Sequence, residues 1–93
     1  MQLQNSPVKI IWDEPKRLAN LDKHGMDFAD LNEKFFDTAI VLQAKRDRYR
    51  AIGVNIRGVI SVICAIYGRE AVSIISMRPA NKAERELYET NRR

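Results

Sequence analysis

The stretch Val59–Tyr67 constrains this chain most. It reads VISVICAIY and is interrupted only by Ser61. A run this short and this apolar, with turn residues on both sides, predicts a strand at the centre of a sheet, covered on both faces. Asn55–Gly58 supplies the turn before it and Gly68-Arg69 a tight hairpin after it. Its neighbours fit as partners. Ala39–Ala44, Tyr49–Val54 and Ala71–Met77 have strand character, Lys45-Arg46-Asp47-Arg48 is a basic turn, and Pro79 closes the last strand. Four consecutive strands with short connections imply an antiparallel meander.

The first third has a different period. Val8–Trp12 reads as one more strand of the same sheet. Asp13 is a suitable N-cap, with Glu14 and Pro15 in the first turn, and the helix should end at Gly25. At 100° per residue, Leu18 and Leu21 form its apolar side, and Lys16, Asn20, Lys23 and His24 fall together on the other. Lys23 and His24 also complement the negative end of the helix dipole. A second helix is expected from Asp27 to Asp37, with Phe28, Leu31 and Phe35 on its core stripe. Asn81 with Glu84 forms a capping-box start to a last helix, Lys82 to about Asn91. The expected fold class is α+β: a small antiparallel sheet packed with helices, in the order β-α-α-β-β-β-β-α. It is one domain over 1–93, with its core in about 8–91 and frayed ends.

Composition narrows the function. The 93 residues are enough for one core, and the net charge of +4 suits an anionic partner. No apolar run approaches the ~20 residues that span a bilayer. The polar N-terminus lacks a signal-peptide stretch, so the expected location is cytoplasmic, with no membrane partner. Cys64 is the sole cysteine and sits in the apolar run, which excludes an internal disulfide and reads as a buried hydrophobe. A single His24 and carboxylates placed at helix starts make no metal-ligand pattern, and neither a phosphate-binding glycine loop nor a serine-nucleophile elbow occurs.

The remaining inventory of Lys, Arg, Tyr and one His suits RNA cleavage without a metal or cofactor. RNA carries its own nucleophile, the 2′-hydroxyl. Histidine can move the protons, and cations can stabilise charge developing on the phosphate. Candidate catalytic residues are Lys23, His24, Arg48, Arg69 and Arg78. Candidate RNA contacts are Lys16, Asn20, Lys45, Arg46, Tyr49 and Arg50; strand alternation puts Arg48 and Arg50 on one face, and Tyr49 could stack on a base. Taken singly, each arginine fits a solvated or ion-paired surface residue better than a catalyst, so only convergence would favour a site.

Four segments resemble one known family. Trp12-Asp13, Lys16, Asn20, Lys23-His24-Gly25 and Phe28 reproduce W-D-x-x-K-x-x-x-N-x-x-K-H-G-x-x-F. Asp47-Arg48-Tyr49 with Ala51-Ile52-Gly53 resembles its E-R-[FY]-x-A-I-G segment. Ile74–Ala80 is similar to I-I-S-A-R-x-A, and Glu84-Arg85 with Tyr88 to E-R-x-x-Y. The family is that of BrnT, the toxin of the BrnT/BrnA type II toxin–antitoxin system. The resemblance implies a RelE-like ribonuclease toxin fold and an endoribonuclease, without metal or cofactor, that arrests translation. It also implies a BrnA-like DNA-binding antitoxin as partner, in a hetero-oligomer that binds operator DNA through the antitoxin. The chain departs from the family in one region. Where relatives carry a tyrosine and then an arginine, as in Y-T-x-R-G, it has Ala65 and Gly68; Arg69 is displaced by one position and Tyr67 by two. Ser73 stands where a further arginine is common. A weakened nuclease, or a non-catalytic module binding RNA or the antitoxin, is the alternative these departures leave. A plain interaction domain for an acidic protein is a third reading.

Overall fold

The apolar run is the middle of a five-stranded sheet. A computed structural model of the chain describes residues 9–91. The strands are β1 (Lys9–Trp12), β2 (Ile40–Gln43), β3 (Arg48–Asn55), β4 (Gly58–Tyr67) and β5 (Ala71–Pro79). The helices are α1 (Glu14–His24), α2 (Glu33–Thr38) and α3 (Lys82–Asn91). The spatial order is β1-β5-β4-β3-β2. Val8 and the chain ends expected to fray lie outside the described residues.

The sheet is mixed rather than purely antiparallel. Strands β2 to β5 form the expected meander, but β1 pairs parallel to β5. The two are far apart in sequence, so no tight turn forces an antiparallel approach.

The second helix divides. Phe28–Asp30 forms a 3-10 turn, Leu31 is extended, and α2 begins only at Glu33. Two side chains cap the two pieces. The Asp27 carboxylate accepts from the Ala29 N–H at 2.9 Å, and the Asn32 side chain accepts from the Phe35 N–H at 3.0 Å. The first starts the 3-10 turn; the second, with Asn32 extended in the middle of the expected helix, competes with a continuous helix. Phe28, Leu31 and Phe35 still enter the core, with Met26, Phe36, Ala51, Ile60, Val62, Cys64, Val72, Ile74 and Met77.

A β-bulge explains how Ile74 and Met77 share that core despite odd spacing. Ile63 pairs with Ser76 and Cys64 with Ile74, so Ile75 is the extra residue. Without it, strand alternation would send one of the two to the opposite face.

Coverage of β4 is uneven. One face of the sheet, the core face, is packed under α2 and the 3-10 turn. Among the described residues the other carries α3 alone, over one end, where Ile52 and Ser61 are buried. Elsewhere on that second face Ile63, Ala65, Ser73 and Ser76 are half-buried. The expectation of a fully covered central strand holds for the core face alone. The second face is called the open face below.

Helix α1 is turned over relative to expectation. Leu18 is 52% and Leu21 38% exposed, whereas Asn20 is only 6% exposed. Its Nδ2–H donates to the Met26 carbonyl at 3.0 Å, and its Oδ1 accepts from the Met77 N–H at 3.0 Å. The reason lies in the sheet edge. Strand β1 pairs with β5 only as far as Ile74, so the Met77 N–H needs another acceptor. Satisfying a buried amide outweighs burying two leucines at this edge.

Candidate active site

Strand pairing sets out the open face row by row. Arg78 on β5, Ser61 on β4 and Ile52 on β3 form one row. Ser76, Ile63 and Arg50 form the next, and beyond the bulge Ser73, Ala65 and Arg48 form a third. Period-two alternation puts all nine side chains on one side. Arg48, Arg50 and Arg78 therefore share this face.

Two of the three arginines are held together. The Arg50 Nη1–H donates to Ser61 Oγ at 2.6 Å and lies 3.5 Å from Glu84 Oε2. Arg78 grips the same carboxylate with both arms, Nη1 to Oε1 at 2.8 Å and Nη2 to Oε2 at 3.0 Å. Glu84 is fixed in turn by the start of α3. The Asn81 N–H donates to Glu84 Oε1 at 2.9 Å, and the Glu84 N–H donates to Asn81 Oδ1 at 2.8 Å. This is the capping box read from the sequence, and its carboxylate also reaches the sheet. The Arg78 hydrogen bonds hold the Glu84 carboxyl below its ordinary value, against the opposing effect of burial. The same bonds raise the Arg78 guanidinium. The fork is thus a charged pair across the neutral range.

The other nominated residues divide into three groups. Lys23 and His24 occupy the last turn of α1, which Gly25 ends in the left-handed conformation at φ 68°. Lys23 is exposed and His24 half-buried, and neither side chain makes a hydrogen bond or ion pair with another described residue. Lys16 is exposed on the same helix. Lys45 and Arg46 lie exposed in the β2–β3 turn, beside Arg48 at the start of β3. These cations have no stabilising partner on the sheet.

Three nominations are corrected. Asn20 is a buried backbone clamp and not an exposed RNA contact. Tyr49 points to the core face and packs against the core, as alternation with Arg48 and Arg50 requires, so it cannot stack on a base bound to the open face. Arg69 sits in the β4–β5 turn at the start of β5, whereas Arg78 is near its end. Seven residue steps lead from Ala71 to Arg78, roughly 23 Å at the rise of a strand. Arg69 and Arg78 therefore do not meet.

The departures from the family pattern are localised. Ala65 and Ser73 are direct cross-strand partners, and Ala65 also pairs with Arg48. Small side chains thus fill one row of the open face, and Arg48 stands beside them. Gly68 holds a positive φ of 62° in the hairpin.

Sequence reasoning did not nominate Ser61 or Glu84 for the site. Ser61 carried a signal, being the one polar residue in the apolar run. Glu84 was absorbed by its capping role, and only the fold brings it to Arg50 and Arg78. Among the described residues no three His, Cys, Asp or Glu side chains group so as to hold a metal ion, and no helix is long and apolar enough to cross a membrane.

Residues 12–84 match a family model described as the ribonuclease toxin BrnT of a type II toxin–antitoxin system. The crystal structure of the Brucella abortus ribonuclease toxin BrnT matches with a TM-score of 0.75 at 53% sequence identity. That match covers 81% of this chain and 99% of the Brucella chain. Comparison with curated protein sequences gives no match. With a specific helix-end motif, an arginine-bearing sheet face and these two agreements in hand, the chain belongs to the BrnT family of ribonuclease toxins of type II toxin–antitoxin systems.

Proposed function

We propose that this chain is a RelE-like endoribonuclease toxin that cuts RNA on the open face of its sheet, without a metal or cofactor, and so arrests translation. It acts in the cytoplasm and is neutralised by a BrnA-like antitoxin, whose DNA-binding part carries the toxin–antitoxin hetero-oligomer to operator DNA. The observation that carries the reading is the convergence of Arg50 and Arg78, both part-exposed, on the buried Ser61 where α3 meets this face, with Arg48 two residues back along β3 on its uncovered part. Guanidinium groups held by a rigid sheet suit a phosphodiester, because they offer paired donors to its oxygens.

His24 supplies a proton in this reading. One turn of helix separates it from Asn20, about 6 Å along the axis. Asn20 is anchored at Met77, next to Arg78, and α1 packs against β5. In this reading His24 reaches the scissile phosphate from the Arg78 end of the strand. Lys23 beside it, with Lys16, Lys45 and Arg46, guides the RNA backbone.

The test is cleavage of total RNA by the purified chain, paired with growth arrest on expression. The His24→Ala and Arg78→Ala variants should fold, lose cleavage and relieve the arrest. Full toxicity in both would remove the site from this face. The alternative, a binding module with weakened or lost nuclease activity, draws on the small row at Ala65 and Ser73. It predicts steeply salt-dependent RNA binding with no cut product.

A further inference from the structure

Cleavage by the 2′-hydroxyl needs a group that accepts its proton. The strands of the open face offer none. Among the described residues, those whose side chains alternate onto that face include Arg48, Arg50, Arg78, Ser61, Ser73 and Ser76, and no Asp, Glu or His. Arginine has no acceptor capacity, and a serine hydroxyl is far too acidic in its protonated form to hold the proton. The acceptor must come from a helix. Glu84 of α3 is the carboxylate bonded to this face: it touches Arg78, Arg50 and Ser61, each on a different strand.

We propose that Glu84 is the general base of the reaction. The assignment rests on the reading that RNA occupies the open face. The 2′-O–H bond breaks, with its proton passing to a Glu84 carboxylate oxygen. The 2′-oxygen bonds to phosphorus. The bond from phosphorus to the 5′-oxygen breaks, its electron pair staying on that oxygen, which takes a proton from protonated His24. The products are a 2′,3′-cyclic phosphate and a 5′-hydroxyl end. Water then takes the proton from Glu84 and returns one to His24.

Three features suit Glu84 to this step. The capping box fixes its backbone and one carboxylate oxygen at the edge of the sheet, so the acceptor is preorganised. Its side chain is only 13% exposed, which limits competition from water. Its charge partners are Arg78 from β5 and Arg50 from β3, while β4 contributes only the neutral Ser61. A phosphate arriving on the two guanidinium groups draws donors away from the carboxylate. That frees an oxygen and makes it more basic when the 2′-hydroxyl is in place.

The experiment uses an RNA oligonucleotide spanning a mapped cut site and the same oligonucleotide with a single 2′-deoxy residue there, which binds without being cut. For Glu84→Gln, kcat on the cleavable RNA should fall by about 100-fold or more. Its affinity for the 2′-deoxy form should hold or tighten, because a negative charge is lost. Glu84→Asp should keep part of the rate. A Glu84→Gln variant that cleaves like the parent overturns the assignment. So does one that cleaves faster, which would make Glu84 a competitor of the phosphate. A parallel loss of affinity, rate and melting temperature would make Glu84 only a clasp for α3 and would also overturn it. If Glu84→Gln does not fold, Glu84→Asp decides: lowered kcat at unchanged affinity supports the role, and unchanged kcat refutes it. Failure of the open-face reading looks different, because Arg50→Ala and Arg78→Ala would then both bind and cleave like the parent.

Discussion

Asn20→Ala separates the two roles that Asn20 could have. The structure gives it two buried hydrogen bonds, to the Met26 carbonyl and from the Met77 N–H, the latter joining residues 57 positions apart. Truncation leaves the Met77 N–H without its acceptor. An unsatisfied buried donor costs about 1–3 kcal/mol, and the lost bond to the carbonyl adds about 0.5–1.5 kcal/mol. The expected loss is roughly 2–4 kcal/mol, with water entering the vacated space setting the lower end. A domain of this size has on the order of 5–14 kcal/mol of stability, so the loss is a large share of it. At about 4–8 °C per kcal/mol, the melting temperature should fall by roughly 8–32 °C. Urea titration gives the free energy, and RNA binding measured well below the melting point gives the second coordinate. Folded Asn20→Ala should bind RNA like the parent. A loss below about 1 kcal/mol would refute the clamp, since it is less than one buried donor should cost. Normal stability with weakened binding would return Asn20 to the RNA-contacting set.

Other perturbations test other parts of the structure. A Cβ at Gly53 would lie 2.8 Å from Phe35 Cε1 and 3.2 Å from Ala39 Cβ, so Gly53→Ala should cost about 1–3 kcal/mol by overpacking, read from thermal melts. The Glu84 carboxyl is held below its ordinary value of 4.5, chiefly by Arg78. A depressed carboxyl stabilises the fold fully above its unfolded value, and the contribution is lost as pH falls through the folded one. The melting temperature should therefore drop below about pH 4.5, and Glu84→Gln should flatten part of that drop. A pH profile unaffected by the substitution would show that this ion pair adds nothing to stability. Burial pushes the Cys64 thiol up to about 11, so iodoacetamide should alkylate it far more slowly than free cysteine at neutral pH; rapid labelling would place it outside the core.

Much of the architecture follows from local chemistry. The apolar run Val59–Tyr67 marked the centre of the sheet because so few polar residues suit a strand with neighbours on both sides, although only its core face is fully covered. Gly25, Pro79 and the Asn81–Glu84 box marked helix and strand ends, because each acts on the backbone within a few residues. Arg48 and Arg50 could be placed on one face from strand period alone, and the same period should have sent Tyr49 to the other. Non-local demands decided the rest. Whether Asn20 looks outward or inward depends on an unpaired amide at Met77, far away in sequence, which helical periodicity does not sense. The bulge at Ile75 reverses the alternation of β5 and is visible only as a register between two strands. Arg69 and Arg78 are close in sequence but lie at opposite ends of one strand. Glu84 shows the division most plainly. Its spacing from Asn81 was enough to make it a helix cap. Only the packing of α3 across the sheet set its carboxylate between Arg50 and Arg78, because that contact joins three segments whose separation along the chain carries no periodic signal.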